Sequence, residues 1–330
     1  MNFFLIESPL QYLNALEAKY YFNIPSDEAK LIVFRGVSED NIQQIKESVS
    51  ESEWQDIEYI LSSERKIRKY ALKNHFRNIL KETSIKKVFI GDYRSYLMRH
   101  FANISDSEDV IMLDDGRSSV DIHKMIFERV DIRNRNSNLR RILNNLAGLK
   151  DQSIKDISLF TVYDSDHNNN NKLHRNNYDY LRKSLKEKPV SDTVLFIGNC
   201  FTELNLMSEE DYLKSMRKIS EFYEGKRIMY VPHRREKTEK LNNLTGLNAL
   251  DLQRYNIPLE LALSKSDAIP GYIASFYTSA IDNIEKIIGS DVELTAFRPN
   301  LDLFDQKIRG TAEEAYNYYS MNHNIRVINI

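Results

Sequence analysis

Short apolar runs of strand length recur along this chain, and stretches with helical spacing separate them. Nine runs have strand character: Phe3–Ile6, Leu31–Phe34, Lys87–Ile90, Val110–Leu113, Ile157–Tyr163, Val194–Ile197, Arg227–Val231, Ala268–Ile273 and Val292–Ala296. Strands that alternate with helices pair in parallel, because each crossover has room for a helix that covers the sheet. The chain is 330 residues long, more than one core usually fills, so two parallel-sheet domains are expected. A helix over Tyr178–Lys188 runs into Pro189-Val190-Ser191-Asp192, which places the boundary there. The expected division is 1–190, 191–309 and a tail, 310–330, whose helix Gly310–Met321 returns to the first domain.

Composition removes several function classes. The 46 basic and 48 acidic residues give a formal net charge of −2, so no basic excess points to nucleic acid. The run Arg65-Lys66-Ile67-Arg68-Lys69 reads as a solvated helix face, with an acceptor- or membrane-facing patch as the alternative. Cys200 is the one cysteine, which rules out an internal disulfide and a Cys-based metal site. The opening Met1-Asn2-Phe3-Phe4-Leu5-Ile6-Glu7 has no basic segment and too short an apolar run for a signal peptide. No apolar stretch approaches the ~20 residues that span a bilayer. The expected location is cytoplasmic, with peripheral attachment to the inner membrane as a variant. The polar helical stretch Asp40–Leu80 is a candidate homodimer contact.

Ligands of parallel sheets bind outside the carboxyl ends of the strands, so the loops that follow strands carry the candidates. After Phe3–Ile6 comes Glu7-Ser8-Pro9-Leu10-Gln11, where Ser8 can cap a helix and Pro9 suits its first turn. After Val110–Leu113 comes Asp114-Asp115-Gly116. Two adjacent acids before glycine put one carboxylate into a cleft, where it can take a proton from a sugar hydroxyl; a plain turn is the alternative. After Arg227–Val231 comes Pro232-His233-Arg234-Arg235. An imidazole beside guanidinium groups suits a phosphate. Ser275, Thr278 and Ser279 precede a helix, where hydroxyls and free N–H groups bind anions or simply cap. Gly198-Asn199 lets a ligand approach backbone closely. The run Asp164–Asn171 reads as a polar surface loop, with an Asp/His metal site as the alternative. No HExxH, P-loop or GxGxxG occurs.

Taken in order, the acidic Asp114-Asp115-Gly116, the histidine of Pro232-His233-Arg234 and the hydroxyls around Ser275–Ser279 resemble the motifs of bacterial sialyltransferases: D/E-D/E-G, His-Pro and Ser-Ser/Thr. The nearest likeness is to glycosyltransferase family 52, the lipooligosaccharide sialyltransferases, whose opening segment Glu7–Ala15 also resembles. The resemblance implies a GT-B fold: two Rossmann-like domains facing a central cleft. It further implies inverting transfer of N-acetylneuraminic acid from CMP-Neu5Ac to a galactose-terminated lipooligosaccharide or capsule glycan, with no metal or other cofactor. It makes Asp115 the base, with Ser8, Pro9, Gln11, Asp114 and Gly116 near the sugars. It makes His233 the group that holds the CMP phosphate and assists its departure, with Arg234, Ser275, Thr278 and Ser279 beside it. Glu260 would hold the ribose, and Gly198 and Asn199 would line the cytidine pocket. Pro232 precedes the histidine here instead of following it. That departure leaves open another CMP-nonulosonate, Kdo or a UDP-sugar as donor. A non-catalytic sugar-nucleotide scaffold is the alternative outside enzymes.

Overall fold

The structure, a computed structural model, describes the chain except residues 36–38, 61–64, 82–83, 117, 133–137, 164–172, 247–249, 289–291 and 322–323, and except the side chains of 39–40, 65–70, 118, 138–141 and 279. The run Asp164–Asn171 and the side chains of Arg65–Lys69 therefore lie outside the described residues.

Two compact units form. The first comprises Met1–Tyr180 with Asn256–Pro258, and the second Leu181–Tyr255 with Leu259–Ile330. The sequence placed the change at 190/191; here it falls at 180/181, and residues 310–330 belong to the second unit.

The first unit is built on β1 (Asn2–Ile6), β2 (Ala29–Phe34), β3 (Asp56–Ile60), β4 (Lys87–Ile90), β5 (Asp109–Leu113), β6 (Ser158–Thr161) and β7 (Leu173–Arg175). Its order is β3-β2-β1-β4-β5-β6-β7, parallel throughout. Every residue of β1 is buried. Successive strand side chains point to opposite faces, so both faces of the sheet centre are covered. Phe4 stacks on Phe89 with ring centroids 4.2 Å apart and meets Trp54 edge-on at 5.1 Å. Helix α1 (Pro9–Tyr21) starts as its sequence requires: Ser8 is the N-cap, its hydroxyl accepts the Gln11 N–H, and Pro9 occupies the first turn.

The second unit carries β8 (Val190–Ile197), β9 (Arg227–Val231), β10 (Leu250–Leu252), β11 (Ile269–Ser275), β12 (Glu293–Arg298) and β13 (Ile325–Asn329). Its order, β10-β9-β8-β11-β12-β13, repeats the winding of the first sheet and is again parallel. Helices Glu209–Phe222, Thr238–Thr245, Ser279–Ile287 and Gln306–Met321 belong to this unit. Tyr316 of helix Gln306–Met321 donates to the Phe297 carbonyl, which ties this helix to β12.

In each sheet the strand order reverses once. In the first, β1 has β2 on one side and β4 on the other; in the second, β8 lies between β9 and β11. Crossovers diverge there, and the carboxyl ends of those strands open a crevice. Among the described residues, no helix is long and apolar enough to cross a membrane.

Candidate active site

In the first unit, the reversal point is lined by the loops after β1, β4 and β5. Asp115 lies at the carboxyl end of β5. The Ser8 hydroxyl donates to its Oδ1 at 3.1 Å, and the Arg94 guanidinium donates to its Oδ2 at 3.2 Å. Its own N–H donates to the Ser119 hydroxyl at 2.6 Å. Gly116 follows at φ +68°, the left-handed region that glycine enters without strain; this turn leads into the helix beginning at Ser118 and presents Asp115 at the strand end. Burial pushes the Asp115 carboxyl above the usual aspartate range, and neighbouring Asp92 pushes the same way. Donation by Ser8 and Gln11 and the charge of Arg94 oppose that rise without cancelling it.

Asp114 turns inward. It is buried; its Oδ2 accepts the Val162 N–H at 2.8 Å, its Oδ1 lies 3.5 Å from His123 Nε2, and its carbonyl accepts from Asn14. The two acids of the motif thus divide into one that ties β5 to β6 and one that reaches the crevice. Pro9 starts α1. Gln11 is buried, and its side-chain oxygen accepts the Glu7 N–H at 2.8 Å, so it braces the β1 loop.

Three charged residues that the sequence did not single out stand beside Asp115. Glu7 follows β1, and Asp92 and Arg94 follow β4. Arg94 Nε donates to Asp92 Oδ1 at 2.9 Å while its terminal nitrogen reaches Asp115. Burial, together with Asp92 and Asp115, pushes the Glu7 carboxyl up to about 8. The signal that could have found them was position alone: each directly follows a strand that flanks the reversal point.

In the second unit, the reversal point is lined by Gly198-Asn199 after β8, Pro232-His233 after β9 and Phe276–Thr278 after β11. A buried polar network joins the three loops. Asn199 donates to the Tyr277 carbonyl at 3.0 Å, and its own carbonyl accepts from Lys240 at 2.9 Å. Lys240 pairs with Glu236 at 2.7 Å, and Glu236 accepts both the Tyr230 hydroxyl and the His233 N–H at 2.5 Å. A Cβ on Gly198 would meet the Glu236 carboxylate and come within 2.5 Å of the Tyr230 hydroxyl. Both are buried and cannot swing away. Gly198→Ala is therefore expected to cost about 1–3 kcal/mol by overpacking, read as a lowered urea midpoint at unchanged slope.

His233 lies on the rim of this network. Burial, Arg234 and Arg235 lower its pKa, so the ring is neutral near pH 7. Its Nδ1 accepts the Arg235 N–H at 3.2 Å, which leaves the proton on Nε2 and makes that atom a donor. Thr278 caps helix Ser279–Ile287 by accepting the Ala280 N–H. The side chain of Ser279 lies outside the described residues. Ser275 is fully buried, and its hydroxyl donates to the Ile197 carbonyl at 2.8 Å and lies 3.3 Å from Asn199 Oδ1. It supports the Asn199 loop from beneath instead of lining a phosphate site. Glu260 is buried at the start of a short helix, Leu259–Lys265, and accepts from Asn283; burial raises its pKa. Among the described residues, no group of three or more His, Cys, Asp or Glu is placed to hold a metal ion.

The family model for alpha-2,8-polysialyltransferase matches residues 2–290 of the chain. Family 52, which the motifs resembled, is not the family that this match names. No curated protein sequence matches. Solved structures share the fold. A sialyltransferase from Photobacterium damsela superposes with a TM-score of 0.52 at 10% identity, covering 99% of this chain and 81% of that one. An alpha/beta-galactoside alpha-2,3-sialyltransferase from the luminous marine bacterium Photobacterium phosphoreum gives 0.54 at 12% identity, covering 99% and 98%. A UDP-GlcNAc 2-epimerase from Methanocaldococcus jannaschii gives 0.53 at 12%, covering 100% and 89%. With its two parallel-sheet units of seven and six strands, the chain has the GT-B fold.

Proposed function

Because the chain belongs to the alpha-2,8-polysialyltransferase family and is a glycosyltransferase, we propose that it transfers sialic acid from a CMP-linked donor to a glycan hydroxyl, with inversion and without a metal. The observation that carries this reading is Asp115: a carboxylate at a strand end, fixed by Ser8 and Arg94, with its proton affinity raised by burial. A base tuned above the ordinary aspartate range takes an alcohol proton more readily in the transition state. The acceptor oxygen bonds to the anomeric carbon as the bond from that carbon to the CMP phosphate breaks. The acceptor proton passes to Asp115, and the phosphate leaves with the bonding pair.

The departing phosphate needs donors. His233 supplies an Nε2–H, Arg234 and Arg235 supply positive charge, and the first turn of the helix that Thr278 caps supplies backbone N–H groups. Gly198 and Asn199 form the loop for the cytidine, and Glu260 holds the ribose; the burial of Glu260 makes a small opening of its helix part of that assignment. Inversion follows from a single displacement, in which the acceptor oxygen attacks the anomeric carbon from the side opposite the departing phosphate. The family's name supports a terminal sialic acid as acceptor, and a galactose-terminated lipooligosaccharide or capsule glycan is the second acceptor to test.

A nucleotide titration tests the donor. CMP at about 100 times its Kd is expected to stabilise the protein by about 2.7 kcal/mol, with UDP and ADP at the same concentration giving little, and chelator making no difference to transfer. His233→Ala is expected to abolish the CMP-dependent rise in Tm. Stabilisation by UDP instead of CMP would assign a UDP-sugar.

A further inference from the structure

The proposed base is not held by its own loop alone. Three strand ends converge on it: Glu7 from β1, Asp92 and Arg94 from β4, and Asp115 from β5. Helix α1 adds the neutral donors Ser8 and Gln11. Asp114 faces away, toward Val162 and His123. Among the described residues, the ionisable groups beside Asp115 include Glu7, Asp92 and Arg94.

We propose that Arg94 is a positioning residue for Asp115, anchored in turn by Asp92. The inference rests on Asp115 as the base and goes beyond it. Arg94 presents a planar fork: Nε donates to Asp92 Oδ1 at 2.9 Å, and NH2 to Asp115 Oδ2 at 3.2 Å. Its backbone N–H also donates to Asp92 Oδ1, at 2.8 Å. Asp92 therefore fixes Arg94 at two points, and the fork transmits that orientation to Asp115. Ser8 holds the other oxygen of Asp115.

Burial and the neighbouring carboxyls push the Glu7 carboxyl up to about 8, so Glu7 is protonated at pH 7.

The test is a pair of pH–rate profiles, for Arg94→Met and Arg94→Lys, with the CMP thermal shift as a check on folding and donor binding. In Arg94→Met, Asp115 loses its compensating charge and its proton affinity rises. The acid limb is expected to move to higher pH, so kcat falls about tenfold at pH 8 and clearly further at pH 6, with donor KM unchanged. Arg94→Lys restores the charge and with it the position of the limb, but a point charge does not reproduce the fork, so kcat stays low. A pH-independent loss in Arg94→Met overturns the proposal. Asp115→Asn runs alongside: if it still transfers, the base itself is misassigned, whereas an inactive Asp115→Asn with an unmoved limb in Arg94→Met sinks only the role of Arg94.

Discussion

Asp115→Asn is expected to lower kcat by roughly 10²–10⁴-fold, the usual contribution of a positioned general base, while the CMP-dependent rise in Tm stays at its wild-type value. Asparagine keeps the shape of the side chain and an oxygen for the Ser8 hydroxyl, but it cannot accept a proton at useful pH. The separation of the two readouts follows from where the groups are: Asp115 ends a strand of the first unit, whereas the His233 loop belongs to the second. The same residue fixes the sign of the pH dependence. Asp115 works when ionised, and burial raises the pKa at which it gains its proton. Transfer is therefore lost as pH falls, and lost sooner than an exposed aspartate would allow. A steady-state profile of kcat/KM between pH 4 and 8 reads that limb.

The second large effect belongs to Lys240. Its side chain is 1% exposed, pairs with Glu236 at 2.7 Å and Glu203 at 3.5 Å, and donates to the Asn199 carbonyl. Lys240→Met leaves the Glu236 charge buried beside Tyr230 and Tyr212 with its counter-ion gone. Breaking a buried pair from one side costs about 3–5 kcal/mol. Burial already raises the Glu236 pKa against the pull of Lys240. Without Lys240 it rises further, so at low pH Glu236 takes a proton and the penalty shrinks. The expected result is a large fall in Tm at pH 8, a smaller one at pH 5, and substantial recovery in Lys240→Met/Glu236→Gln. Equal losses at both pH values would show that the charge of Glu236 is not the cause.

The central strands were legible because burial on both faces makes a strand a continuous apolar run. The four strands that the sequence missed, β3, β7, β10 and β13, are the four sheet edges. An edge strand has a partner on one side only, and these four have mixed burial: Asp56–Ile60 has one buried residue, and Leu173–Arg175 none. Their sequences carry charges such as Asp56, Glu58, Arg175, Asp251 and Arg326, as edges that avoid further pairing do. The region Asp40–Leu80, read as a long interrupted helix, contains β3 in that interruption. In the site, Asp115 and His233 announced themselves by motif. Ser275 matched a motif as well, but its position one residue before the loop puts its hydroxyl inside the sheet. Glu7, Asp92 and Arg94 are acidic and basic residues of ordinary loops, and only the strand order, which no local pattern encodes, brings them to one reversal point.

The most direct measurement is incubation with CMP-Neu5Ac and paired acceptors, one ending in sialic acid and one in galactose, followed by mass spectrometry of the glycans. The account predicts an acceptor heavier by one or more sialic acid residues, with CMP released in equal amount, and no such product from Asp115→Asn. Both acceptors unchanged while the protein binds CMP tightly would contradict it.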